Sequence, residues 1–243
     1  MTNHKKTGNF VMIDGMDGSG KSTITRALVE HFTRNQKTVF DIPHWSKEHG
    51  RLPTFEECAA ADIILSAEPT HVWIGTTIRQ ELIRQGTSYS EADIATAFSL
   101  DRLVLYTRLI IPLLEAGKTV IQDRGVPTSL AYQTMKNLRV EDVARLPGNT
   151  LALEHAPDTL IIADCSVDTA LQRLAGRSDK DDNSIFEKRS FLEALYEHYH
   201  ADWFKKIWLD KNTKLIYLNT EPSIEEVSRA AKLMLTIPIG EKP

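Results

Sequence analysis

Short unbroken apolar runs alternate along this chain with longer stretches in which apolar positions recur every three or four residues. Runs at 9–13, 38–42, 119–122, 159–163 and 214–218 predict five strands. A further run at 62–66 reads as a continuation of the second strand after an excursion. The helical period predicts helices over 20–34, 75–85, 91–116, 168–175, 188–208 and 223–235. Ser90 ahead of Glu91 and Asp93 supplies an N-cap with acid in the first turn, and Gly86 and Gly117 act as stops. Pro112 predicts a kink late in the 91–116 helix. Residues 43–61, with Pro43, Gly50 and Pro53 among charged positions, read as an irregular inserted excursion. Continuous apolar strands alternating with helices imply an α/β architecture, a five-stranded, mostly parallel sheet covered by helices on both faces. Ligands in such sheets bind beyond the carboxyl ends of the strands.

Composition narrows this picture. A length of 243 residues suits a single domain spanning 1–243, and 42% apolar residues is enough to bury a core. A formal net charge of −4 argues against nucleic acid as the main partner, because a phosphate backbone selects a basic face. No apolar stretch reaches membrane-spanning length and residues 1–8 are polar, so no membrane association and a cytoplasmic setting are expected. Cys58 and Cys165 stand far apart without metal-like spacing and read as free buried thiols. His44, Trp45 and His49 lack a third ligand at sensible spacing, which favours a solvated loop over a metal site.

The strongest chemical signal is Gly15-Met16-Asp17-Gly18-Ser19-Gly20-Lys21-Ser22, directly after the apolar run Phe10-Val11-Met12-Ile13. This is the phosphate-loop pattern, with a strand leading in and a helix leading out through Thr23. Its glycines let backbone N–H groups turn toward phosphate oxygens, and the helix that follows points its positive end at the same place. Lys21 is suited to the β and γ phosphates, and the Ser22 hydroxyl to Mg²⁺. The fold class implied is therefore a P-loop NTPase three-layer sandwich.

Three further segments carry candidate chemistry. Asp123-Arg124 ends the third predicted strand, where a carboxylate can hold Mg²⁺ and a planar guanidinium can grip phosphate. The 91–116 helix is apolar almost all round, so Asp101 and Arg102 in its middle each need a partner from elsewhere. Phe98 and Arg102 share one helical face and suit either base recognition or a core ring beside a bridging arginine. Residues 175–187 are polar and charged and read as a lid able to bring Arg177 or Lys180 onto transferring phosphates, since the phosphate loop has no arginine of its own.

Taken together these residues resemble the thymidylate kinase family. The loop through Thr23 matches the family's phosphate loop, and Glu68-Pro69 followed by Gly75-x-x-Ile78-Arg79 is similar to its second motif. Phe98-Ser99-Leu100-Asp101-Arg102 is similar to its base-binding helix, and Asp123-Arg124 with Ser129-x-Ala131-Tyr132-Gln133 to its segment after the third strand. Pro157-Asp158-Thr159-Leu160 and Ala170-Leu171-x-Arg173 also fit, so the likeness runs over residues 9–235. It implies phosphorylation of dTMP by ATP with Mg²⁺, and a homodimer. It implies that Gly15, Gly18, Ser19, Gly20, Lys21, Ser22 and Thr23 hold ATP, with Ser22 and Asp123 at the metal. Phe98 would stack the thymine, Arg102 would bond its O4 edge, and Thr128 or Ser129 its other polar atoms. Tyr132 would pack on the deoxyribose, Asp17 would meet the 3′-hydroxyl and Arg124 the acceptor phosphate, with Glu68 on the acceptor side. Lys21, Asp123, Arg124 and a lid Arg177 would carry the transfer.

The chain departs from the family pattern only on the acceptor side. Gly125 stands where an aromatic usually follows Asp-Arg, Ala67 where an arginine precedes Glu-Pro, and Thr70-His71-Val72 where Gly-Gly-Thr is common. The 43–61 stretch is also longer than the family norm. Two other readings follow. In a deoxynucleoside kinase, Glu68 would assist a neutral acceptor hydroxyl. A P-loop regulator would hydrolyse ATP without an acceptor.

Overall fold

The computed structural model describes residues 7–84, 86–135, 138–176 and 189–236. Its sheet has six strands, all paired in parallel, in the order β2-β3-β4-β1-β5-β6. They are β1 (Asn9–Asp14), β2 (Val39–Asp41), β3 (Ile63–Ala67), β4 (Thr119–Asp123), β5 (Thr159–Asp164) and β6 (Lys214–Asn219). The expected five strands become six because the 62–66 run is a strand in its own right. It lies between β2 and β4, pairing Ile63 with Val39 and with Thr119. A parallel neighbour needs a crossover, and the residues between β2 and β3 supply one.

That crossover corrects the expectation of an irregular excursion at 43–61. It contains α2 (Ile42–His49) and α3 (Phe55–Cys58). Asp41 caps α2 through the His44 N–H, Pro43 occupies its first turn, and Gly50 closes it in the left-handed region at φ 68°. Thr54 and Glu57 form a reciprocal capping box on α3. His49 stacks on Trp45 at 3.9 Å between ring centroids, and Arg51 lies 4.6 Å over the same ring. No cluster of three metal-binding side chains occurs among the described residues.

The remaining helices are α1 (Lys21–Arg34), α4 (Trp73–Thr77), α5 (Glu91–Leu105), α6 (Ile111–Glu115), α7 (Val126–Gln133), α8 (Val140–Ala144) and α9 (Pro147–Glu154), followed by α10 (Val167–Ala175), α11 (Arg189–His200), α12 (Asp202–Leu209) and α13 (Ile224–Thr236). The long 91–116 helix runs through α5 and α6, joined by a widened π-type turn at Tyr106–Ile110. Pro112, lacking an N–H, sits in the first turn of α6, so the disturbance falls just before it. The expected 188–208 helix is two, α11 and α12, broken at extended Ala201.

Alternation along β1 divides the core. Phe10 and Met12 face a large cluster with Leu105, Leu109, Leu113 and Leu130. Val11 and Ile13 face a second with Ile24, Leu28, Ile121, Ile161 and Val227. The carboxylate of Asp158 accepts the Phe10 N–H at 2.7 Å, so the Pro157-Asp158 motif locks β1 to the start of β5. β1 is flanked by β4 on one side and β5 on the other, and the chain crosses from the first side to the second after β4. The 15–20 loop therefore emerges where the strand order reverses, the place where such sheets bind ligands.

Candidate active site

The loop after β1 is shaped by its glycines. Gly18 has φ 79°, and a Cβ there would lie 2.4 Å from the Ala170 carbonyl oxygen of α10. Lys21, the first residue of α1, folds back over the loop and donates to the carbonyls of Gly15 at 3.1 Å and Met16 at 2.6 Å. Burial, with the Arg124 charge beside it, pushes its ammonium down to about 8. Ser22, next along, is exposed at the mouth. Behind the loop, Thr220 donates its hydroxyl to the Ser19 carbonyl at 2.6 Å, and Arg173 donates to the carbonyl of Thr220 at 2.6 Å.

Asp14 and Asp123 end the adjacent strands β1 and β4. Asp14 is fully buried and saturated: it accepts from the Gly15 N–H at 2.7 Å, the Thr128 hydroxyl at 2.7 Å and the Tyr199 hydroxyl at 2.7 Å. Asp123 is the reverse case. Its Oδ1 is buried without a hydrogen-bond partner, and desolvation raises its carboxyl above the usual range. An unspent carboxylate oxygen beside Lys21 is chemically suited to a cation.

Arg124 follows in the left-handed region at φ 64°. Its side chain turns back toward the loop, donating to the Asp17 carboxylate, to the Gly15 carbonyl at 3.2 Å and to the Thr128 hydroxyl at 3.2 Å. Tyr132, one turn along α7 from Thr128, sends its hydroxyl to Asp17 at 3.4 Å and places its ring 5.7 Å under the guanidinium. Asp17, Arg124, Thr128 and Tyr132 thus meet at one point.

The middle of α5 supplies a second arginine group, and the partners required for its buried charges are there. Asp101 accepts from the Thr70 N–H and hydroxyl, both at 2.7 Å. Arg102, 0% exposed, pairs with Glu68 at 2.5 Å and donates to the Ser129 hydroxyl at 3.1 Å and to Asn149. Desolvation raises the Glu68 carboxyl to about 7 against the opposing pull of Arg102. The Nε of Arg102 keeps no partner. Phe98 is half-buried on the same face of α5. Arg79 donates to the carbonyl oxygens of Thr70 at 3.2 Å and Pro69 at 2.5 Å, which fixes the Glu68-Pro69-Thr70 turn.

The structure therefore brings Lys21, Asp17, Asp123, Arg124, Thr128 and Tyr132 together, with Glu68, Arg102 and Ser129 as a neighbouring buried group. Arg177 and Lys180 lie outside the described residues. Sequence reasoning missed Asp14, Gln122, Asn149 and Thr220. An acid at the last strand position before the loop was a usable signal for Asp14; Asn149 and Thr220 reach the site only through the fold.

A parallel α/β sheet with a phosphate loop at its switch point, an acid on the neighbouring strand and two converging arginines defines a P-loop phosphotransferase of nucleotides. Comparison with known proteins makes this specific. The family model for thymidylate kinase matches residues 53–231. A protein of Pyrococcus abyssi named "Probable thymidylate kinase" is 30% identical over 224 residues, 90% of this chain and 92% of its own. The thymidylate kinase of Mycoplasma pneumoniae is 30% identical over 203 residues, covering 81% of this chain and 82% of its own. That of Xanthomonas oryzae pv. oryzae is 31% identical over 189 residues, 78% of this chain and 69% of its own. The chain belongs to the thymidylate kinase family.

Proposed function

We propose that this chain transfers the γ-phosphoryl group of ATP to the 5′-phosphate of dTMP, giving dTDP and ADP. The observation that carries this reading is the Arg124–Asp17–Tyr132 convergence at the mouth of the phosphate loop. A phosphate-bearing acceptor needs a fixed cation there, and Arg124 is fixed by three groups. The acceptor phosphate has a second pKa of about 6 and is largely dianionic at neutral pH, so the transfer needs no general base.

The residues fit the remaining ligands. The left-handed glycines leave a cradle of loop N–H groups for the ATP phosphates, held by residues 15 and 18–23. The exposed Ser22 hydroxyl and the unpaired Asp123 Oδ1 would hold Mg²⁺, which when bound neutralises phosphate charge. Lys21 gives up its two carbonyl partners and turns to the β and γ oxygens. Phe98 stacks the thymine and Arg102, whose Nε–H keeps no partner in the protein, bonds its O4 edge, with Ser129 or Thr128 at the remaining polar atoms. Tyr132 packs on the deoxyribose, Asp17 takes the 3′-hydroxyl, and Arg124 grips the acceptor phosphate.

We read the chain as one kinase domain acting in the cytoplasm as a homodimer. Exposed Trp73 and Leu100, at 45% and 47%, leave an apolar surface near the start of α4 and on α5 for a second copy. No helix among the described residues is long and apolar enough to cross a membrane.

The test is an acceptor screen with ATP and Mg²⁺ over dTMP, dUMP, dCMP, dGMP, UMP and thymidine. dTMP is expected to turn over fastest. Preference for thymidine overturns the reading in favour of a deoxynucleoside kinase, although Glu68 is already spent on Arg102 and Gln122. ATP hydrolysis indifferent to every acceptor overturns it in favour of a regulator.

A further inference from the structure

Gln122 has no part in the reaction described above, yet it is the penultimate residue of β4 and fully buried. A buried amide in a central parallel strand costs free energy unless its hydrogen bonds are made, so its contacts need a reason. Its Nε2 makes two. It donates to Glu68 Oε1 at 3.0 Å and to the carbonyl oxygen of Arg124 at 2.9 Å. Its Oε1, also buried, keeps no hydrogen-bond partner.

These two bonds join the halves of the acceptor site. Glu68 holds Arg102, and Arg102 holds Ser129 and Asn149. Arg124 is left-handed at φ 64°, a conformation that an arginine keeps only where its surroundings fix it. The Gln122 bond to its carbonyl is one such restraint, and the Arg124 N–H bond to the Ile13 carbonyl at 2.8 Å is the other. The volume beside them is full. A Cβ on Gly125 would lie 2.7 Å from Met12 Sδ and 3.0 Å from Gln122 Nε2. Met12 and Gln122 together therefore occupy the space into which a larger residue at 125 would extend. The departure at Gly125 and the buried amide are two sides of one arrangement.

We infer that Gln122 is a positioning residue for the acceptor, fixing the backbone of Arg124 relative to the Glu68–Arg102 pair. The inference rests on the reading of Arg124 as the acceptor-phosphate residue. It predicts a specific pattern in Gln122→Met, which keeps the volume of the side chain and removes its donor. The KM for dTMP rises about ten-fold, as for loss of one hydrogen bond to a charged group, while the KM for ATP stays within about two-fold. In a cycle with Glu68→Gln, the two losses in kcat/KM for dTMP fall short of additive, because each variant breaks the same link.

An unchanged dTMP KM in Gln122→Met overturns the inference, as does full additivity in the cycle. A variant that melts far below the parent with both KM values shifted together assigns Gln122 to the fold alone and also overturns it. Arg124→Ala is measured alongside. If that variant leaves the dTMP KM unchanged, the reading of Arg124 has failed; if it raises the KM while Gln122→Met does not, only the role of Gln122 has failed.

Discussion

Arg124 and Asp17 form an ion pair across the mouth of the phosphate loop, with Tyr132 bonded to the same carboxylate. Asp17 thereby holds the guanidinium against the phosphate loop. Arg124→Lys keeps the charge but loses the fork, so it cannot serve Asp17, Thr128 and a phosphate together. A loss of about a hundred-fold in kcat/KM for dTMP is expected, corresponding to about 3 kcal/mol. Steady-state kinetics with ATP held saturating would show it, and near-parental activity would rule out a phosphate-gripping role.

Thr220 braces the phosphate loop. Thr220 is 2% exposed, and its hydroxyl bonds the carbonyls of Ser19 at 2.6 Å and Asp164 at 3.0 Å. Thr220→Val keeps the shape and strands those bonds, at about 1–2 kcal/mol of stability. The KM for ATP should rise several-fold with the KM for dTMP unmoved. A dTMP effect equal to the ATP effect would refute the division of the site into two separately braced halves.

How much of this was legible in the sequence depends on how far each signal travels. The phosphate loop was, because its conformation is local and its glycines report it. Asp123-Arg124 was, because a strand end fixes where both residues emerge. The need for partners at Asp101 and Arg102 was legible from an apolar helix, but their identities were not. Glu68 stands 34 positions from Arg102 and Asn149 another 47 beyond it, so only the packed fold brings the three together. The 43–61 error was of another kind. Pro43 and Gly50 read as loop punctuation, whereas Pro43 opens α2 and Gly50 closes it, and the Thr54–Glu57 box that caps α3 went unread.

The Glu68–Arg102 pair is a buried ion pair with both side chains almost wholly removed from water. Removing one partner strands the other, and the uncompensated charge costs more than the pair itself contributes. Glu68→Leu should lower unfolding free energy by about 3–5 kcal/mol in a denaturant titration. The double variant Glu68→Leu with Arg102→Met should recover much of that loss. If the single and double variants were equally unstable, packing rather than charge would set the cost.

His71 gives the fold an acid sensitivity of its own. Burial, with Arg79 and Lys47 nearby, pushes its imidazole from 6.5 down to about 4. Below pH 6.5 the unfolded chain binds a proton that the folded chain refuses. Stability from this group is therefore complete above pH 6.5 and is lost progressively as pH falls toward about 4. Melting temperatures measured across that window should fall less steeply in His71→Asn than in the parent. Parallel profiles would mean that other groups carry the acid response.

Gly148 packs α9 against the backbone of α5. A Cβ at 148 would lie 1.8 Å from the Ser99 carbonyl oxygen and 2.9 Å from the Leu103 N, both backbone atoms of α5. Backbone cannot rotate aside as a side chain can, so Gly148→Ala must drive α5 and α9 apart. Overpacking of this kind costs about 1–3 kcal/mol, and here the Gly148 N–H bond to the Ser99 hydroxyl at 2.9 Å is strained as well. The displacement also reaches the site. Asn149, the next residue, accepts from Arg102, and Phe98 precedes Ser99 on the same turn of α5. Gly148→Ala should thus lower the melting temperature and raise the KM for dTMP together, with the KM for ATP near the parental value. Raised ATP and dTMP constants in equal measure would mean that the strain spreads through the whole sheet. An unaltered melting temperature would mean that the two helices do not approach as closely as the geometry of Ser99 and Gly148 requires.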